Sequence, residues 1–156
     1  MKEITLQQIG TIYSPFEAKE DCPRQSIYST DTEGTVELFE EYAVGLKDIE
    51  SFSHIILLYE FDRAEEVVLI RKPFLDDEPH GIFASRHPCR PNGIALSIVR
   101  LVKRDGNVLH VEGIDVLNET PLIDIKPYSP RFDCFSEATY GWLESTNWRE
   151  KSNGRE

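Results

Sequence analysis

Ile94-Ala95-Leu96-Ser97-Ile98-Val99-Arg100-Leu101-Val102, then Asp105-Gly106-Asn107, then Val108-Leu109-His110-Val111-Glu112-Gly113-Ile114-Asp115-Val116 is the stretch on which the fold turns. Both arms are rich in strand-forming residues, and an Asp-Gly pair between two such arms is a strong short-range signal for a β-hairpin. Outward from it, residues 4–13 are rich in β-branched side chains and read as a strand stopped by Ser14-Pro15. Residues 17–34 are polar and read as a long loop, a length that compact domains usually reserve for function or mobility. Thr35-Val36-Glu37-Leu38 resumes a short strand, and residues 42–51 carry Tyr42, Leu46 and Ile49 at the spacing of one short helix or 3₁₀ turn. Residues 53–61 are apolar on both faces, the pattern of a central strand covered on two sides. Further strands are expected at 67–70 and 121–125, and a C-terminal helix over 136–145, capped by Ser136 and weakened by Gly141.

Six or so short strands with little helix point to a mainly all-β domain, a barrel or a sandwich, with one or two short helices. Residues 1–135 form this domain, and 136–156 a helix and tail. There is no Gly-rich phosphate loop, no dinucleotide fingerprint and no strand–helix alternation, which argues against a Rossmann-type cofactor site. At 156 residues and 40% hydrophobic, the chain can bury one core and little more. No apolar run approaches the roughly 20 residues that span a bilayer, and no signal-peptide stretch follows Met1. The three cysteines, Cys22, Cys89 and Cys134, are odd in number and far apart, which fits a reducing cytoplasm better than a disulfide framework. A net charge of −11 argues against broad, nonspecific nucleic-acid binding. Lys72, Arg86, Arg90, Arg100, Lys103 and Arg104 nevertheless concentrate in one stretch, leaving room for a local basic patch.

Two segments are chemically specialised. Residues 72–97 hold four prolines and two glycines, so the backbone that presents Arg86 and Arg90 is tightly prescribed. Paired arginines beside backbone N–H groups suit a carboxylate or phosphate. Residues 115–128 set Asp115 and Asp124 on either side of a turn and end in Lys126-Pro127-Tyr128. Turn-capping accounts for either aspartate without chemistry, and a hydrogen-bonded structural role accounts equally well for His54 on its apolar strand. His80, His87 and Cys89 match no common zinc spacing, so no metal site is expected.

Five ordered motifs carry a resemblance. They are Ile9-Gly10-Thr11-Ile12-Tyr13-Ser14-Pro15-Phe16, Pro23-Arg24-Gln25, residues 45–56 from Gly45-Leu46-Lys47 to His54-Ile55-Ile56, residues 86–97, and residues 115–128. In this order and spacing they resemble the TsaA-like family of tRNA N6-threonylcarbamoyladenosine methyltransferases, over about residues 4–133. The resemblance implies a single-sheeted β-barrel, S-adenosylmethionine as cofactor, a homodimer whose second subunit helps to bind it, and methylation of N6 of the carbamoylated adenosine beside the tRNA anticodon. Carried over by motif, the cofactor-binding residues are Arg86, Pro88, Arg90, Pro91, Asn92, Ile94, Leu96, Ser97, Leu117, Thr120, Leu122 and Lys126. Arg24, Gln25 and Tyr128 are the expected substrate contacts. Asp115, Asp124 and His54 are the alternatives for the general base that the acceptor nitrogen needs.

Two departures stand out. The family writes Pro-Ile-Gly after Arg-Pro-Asn, where this chain has Gly93-Ile94-Ala95, and Asp-Gly-Thr-Pro where it has Asn118-Glu119-Thr120-Pro121. The first bears on cofactor affinity and motivates a noncatalytic S-adenosylmethionine-binding module as an alternative. The acidic charge and the short stretch after Tyr128 motivate a small-molecule methyltransferase.

Overall fold

The computed structural model describes residues 1–28, 30–73 and 76–145. The hairpin forms as expected. Strand β6 (Ile94–Asp105) runs antiparallel to β7 (Val108–Glu112), and Asp105 faces Val108 across a two-residue loop. Gly106 takes φ 61, the left-handed region in which a residue without Cβ is unstrained. Asn107 ties the loop to strand β2 (Glu33–Leu38): its Nδ2 donates to Leu38 O at 2.6 Å, and Leu38 N donates to its carbonyl at 3.0 Å.

The remaining long strands are β1 (Gly10–Tyr13), β3 (His54–Glu60) and β8 (Thr120–Pro127). With β2, β6 and β7 they close in the order β1-β2-β7-β6-β3-β8, antiparallel throughout, which leaves no open edge. Strands β4 (Ile70–Arg71) and β5 (His80–Gly81) form a separate two-stranded ladder. Gly10 lets β1 close on β2, because a Cβ there would stand 2.3 Å from Glu37 O.

Strand period two decides what lies inside. Ile55, Leu57 and Tyr59 of β3, Val99 and Leu101 of β6, Leu109 and Val111 of β7, and Ile12, Val36 and Leu122 point inward and are buried. Burying one such aliphatic side chain contributes about 1.5–3 kcal/mol, so the barrel interior is the core.

Several expectations change. The strand at 4–13 shortens to Gly10–Tyr13; upstream, Ile9 is anchored by its backbone, its N–H donating to Leu122 O and its carbonyl accepting from Phe39 N–H. Residues 42–51 are two 3₁₀ segments, Glu40–Leu46 and Ile49–Ser51. Strand β3 is central but covered on one side only, since Ile56 and Leu58 sit half-exposed on the outer surface. Of 67–70 only Ile70 pairs, because Val67, Val68 and Leu69 have strand propensity but no strand beside them. The helix expected over 136–145 reduces to a 3₁₀ turn, Gly141–Ser145, because Gly141 at φ 59 starts it in the left-handed region; a short helix, α1, lies before it at Pro130–Asp133. Residues 146–156 of the expected tail lie outside the described residues.

Candidate active site

Strand alternation places Ser97 inside the barrel between the outward Leu96 and Ile98. A buried hydroxyl needs partners, and Ser97 has two. Its Oγ donates to Asp115 Oδ1 and stands 2.9 Å from the Tyr59 hydroxyl. Asp115 belongs to the segment after β7, which reaches back over the 3₁₀ turn Ser26–Tyr28. Its carboxyl is pushed up to about 6, above all by removal from water. Hydrogen bonds from Ser97, from its own N–H and from Ser26 N–H oppose the rise, as does the nearby Arg86 charge. The Cys22 thiol donates to the Asp115 carbonyl at 2.9 Å. A largely buried carboxyl with a near-neutral proton affinity is suited to taking a proton from a substrate.

Arg86 lies at the surface, and its Nη1 donates to Gln25 Oε1 at 3.0 Å. Gln25 Nε2 in turn donates to the Arg24 carbonyl at 2.7 Å, so Arg24, Gln25, Arg86, Ser97 and Asp115 form one neighbourhood. Arg90 plays a different part. Its Nη1 donates to Ser85 O at 3.0 Å and His87 O at 3.4 Å, bracing the loop that presents Arg86. Pro88, Pro91 and Asn92 belong to the same loop, whose turn Ile94 N closes by donating to Asn92 O at 2.7 Å.

The other motif residues separate in space. Ile94 and Leu96 lie on the outer face of β6, 44% and 40% exposed, beside Ile98 at 36%. Asp124 and Lys126 share that face, opposite Leu58 and Ile56, and are ion-paired at 2.7 Å. A register shift between Leu58 and Tyr59 leaves Ile123 without an opposite number, which turns Asp124 outward although Leu122 is buried in the core. Leu117 and Thr120 form a turn: Thr120 Oγ1 donates to Leu117 O at 2.8 Å and accepts from Arg63 Nη2 at 2.7 Å. Arg63 Nη1 also donates to Asn118 O at 2.9 Å, and Glu119 is held at φ 61, where the family pattern has glycine. His54 and Tyr128 meet at the other end of β3, edge to face at 6.2 Å. His54 lies five strand steps from Tyr59 along β3, about 17 Å at strand rise, so His54 and Asp115 are not one catalytic pair.

Sequence reasoning missed Tyr59, Cys22, Ser26 and Arg63. A tyrosine inside an otherwise aliphatic strand is a signal, because its hydroxyl must find a buried partner; nothing in the sequence marks the other three. The basic stretch also changes character. Lys72, Arg100, Lys103 and Arg104 are paired with Asp77, Glu112, Asp105 and Glu50, which leaves Arg86 as its cation at the site. A separate cleft of about 520 Å³, lined by residues such as Glu33, Lys103, His110 and Glu112, contains none of the motif residues that point to catalysis.

Comparison with known proteins decides the family. Residues 11–134 match the model of the tRNA-methyltransferase O N-terminal domain. The chain belongs to this family. A probable S-adenosyl-L-methionine-binding protein of Pyrococcus abyssi is 52% identical over 141 residues, which is 90% of this chain and 77% of that protein. The human tRNA (adenine(37)-N6)-methyltransferase is 31% identical over 134 residues, 81% of this chain but 30% of the human protein. A crystal structure of TrmO superposes with a TM-score of 0.78 at 37% identity, over 90% of this chain and 64% of that one. The chain therefore spans less than two thirds of that crystallised relative and under a third of the human one. The closed six-stranded barrel agrees with the single-barrel architecture that the family resemblance implies. Among the described residues no helix is long and apolar enough to cross a membrane.

Proposed function

We propose that the chain is an S-adenosylmethionine-dependent methyltransferase that methylates N6 of threonylcarbamoyladenosine beside the tRNA anticodon, as a cytoplasmic homodimer. The observation that carries the reading is the largely buried Asp115 carboxyl, raised to about 6 and next to Arg86, in a member of this family. The methyltransferase and S-adenosylmethionine-binding relatives support the reaction class.

The donor set fits the cofactor. Arg86 has one hydrogen bond among the described residues, to Gln25, so its guanidinium retains donors for an amino-acid carboxylate. S-adenosylmethionine supplies an electrophilic methyl group when bound. The protein's own contribution is to position the acceptor and remove its proton. The acceptor nitrogen is weakly nucleophilic beside a carbamoyl group, and Asp115 takes its proton as methyl transfer proceeds. Ionised Asp115 is the competent form, so the rate rises with pH through about 6. Arg24 and Gln25 stand next to Arg86 and serve the threonyl carbamoyl group. Tyr128, at the other end of β3, serves RNA beyond the target nucleotide.

The homodimer is supported by the outer face of β3 and β6, where Ile56, Leu58, Ile94, Leu96 and Ile98 form an apolar strip that a two-fold related copy would cover. Titration calorimetry with S-adenosylmethionine tests the cofactor assignment. Arg86→Ala should weaken binding at least tenfold; equal affinity for both proteins sinks the assignment.

A further inference from the structure

Tyr59, Ser97 and Asp115 come from β3, β6 and the segment after β7, yet their polar atoms meet in a line inside the barrel. The hydrogen-bond directions follow from a count of protons. Ser97 has a single hydroxyl proton and gives it to the carboxylate, so the 2.9 Å contact with Tyr59 requires the phenol to donate. Burial, reinforced by the Asp115 charge, raises the phenol far above its usual range, and it keeps that proton. The Tyr59 ring is fixed edge to face against Phe61 at 5.8 Å and 77°. A phenylalanine would fill the same core volume, so the hydroxyl has no packing role.

We infer that Tyr59 is a positioning residue for the proton acceptor: its hydroxyl donates to Ser97 Oγ, which fixes the Ser97 hydroxyl on Asp115 Oδ1 and favours the ionised carboxylate. The inference rests on Asp115 being the base. Consecutive hydrogen bonds in a low-dielectric interior strengthen one another, and a donor to the charged form lowers a carboxyl's proton affinity. The other groups facing Asp115 are Ser26 N–H from the 3₁₀ turn, its own N–H, Arg86 from the proline-rich loop, and the Cys22 thiol on its carbonyl. Each differs from Tyr59 in acting directly on Asp115, whereas Tyr59 acts through Ser97.

The sign is fixed by the geometry. Without the phenol, Ser97 donates more weakly, the protonated acid gains, and the titration midpoint moves up.

The test uses the full chain with Tyr59→Phe, Ser97→Ala and Asp115→Asn. The Asp115 carboxyl is titrated by ¹³C NMR, and methyl transfer to carbamoylated tRNA is followed against pH. Tyr59→Phe should raise both the NMR midpoint and the acid limb of the rate profile by about half a pH unit. Ser97→Ala, which removes the direct donor to Asp115, should raise them further. An inactive Asp115→Asn protein beside a Tyr59→Phe protein whose midpoint and limb stay put, or move down, overturns the positioning role alone. An Asp115→Asn protein that keeps the wild-type rate overturns the base assignment and the positioning role together.

Discussion

Replacing Asp115 by asparagine should change how the stability of the barrel depends on pH. The folded carboxyl is raised from its ordinary 3.8 to about 6, so the folded chain holds the proton more tightly than the unfolded one. The stability that this proton contributes is complete below pH 3.8 and is lost as pH rises through about 6. A difference of about two units, at about 1.4 kcal/mol each, makes the ionised state about 3 kcal/mol less favourable in the folded protein. Asparagine carries no charge to desolvate. Its oxygen can still accept from Ser97, but its amide turns a donor towards Ser26 N–H, at a pH-independent cost of about 1 kcal/mol. Other carboxylates with lowered proton affinity, such as Asp76 and Asp105, are present in both proteins and cancel in the difference. Urea unfolding of both proteins from about pH 4 to about pH 8 isolates the Asp115 contribution. The stability of Asp115→Asn relative to wild type should improve by about 2–3 kcal/mol across that range. Parallel stability curves would show that Asp115 is not held as a reluctant anion, and the proton-acceptor role would lose its physical basis.

Other substitutions probe separate parts of the structure. Glu119 sits at φ 61 in the turn closed by Thr120, so Glu119→Gly should relieve left-handed strain and raise stability by about 1 kcal/mol; a lowered melting temperature would refute this. Leu96→Glu places a charge on the outer apolar strip, and sedimentation should show monomers with an intact barrel; an unchanged dimer would move the interface elsewhere. Trp142 stacks on His80 at 4.3 Å and donates to Ala84 O at 2.8 Å, clipping the C-terminal turn to the loop that leads to Arg86. Trp142→Ala should speed hydrogen exchange at Ile82 and Ser85 at least tenfold, with barrel amides unaffected; unaltered protection would mean that the clip does not hold the loop.

The barrel was legible wherever local chemistry and tertiary pairing agree. Asp105-Gly106 specifies its own turn, and the strand at 54–60 is an apolar run compact enough to be recognised without its neighbours. Legibility failed where propensity lacked a strand partner: Val67-Val68-Leu69 is as β-prone as any strand here, but it makes only isolated backbone bonds, Val68 N–H to Cys89 O and Ile82 N–H to Leu69 O, and no ladder. The site divides in the same way. The motif resemblance singled out Arg86, Ser97 and Asp115, which the fold assembles from distant segments. It also grouped with them Ile94, Leu96, Asp124 and Lys126, which register places on the outer face. Only closure of β3 against both β6 and β8, with the extra residue at Ile123, determines which aspartate faces Ser97. Such pairing is a long-range property that no single segment encodes.

The most direct measurement is the transfer of labelled methyl from S-adenosylmethionine to tRNA carrying threonylcarbamoyladenosine, beside the same tRNA lacking the carbamoyl group, followed by nucleoside mass analysis. The expected result is a methyl group on N6 of the carbamoylated adenosine alone, abolished by Arg86→Ala and by Asp115→Asn. Labelled metabolites with unlabelled RNA, or tight cofactor binding with no acceptor modified, would contradict the proposed function and favour a small-molecule enzyme or a binding module respectively.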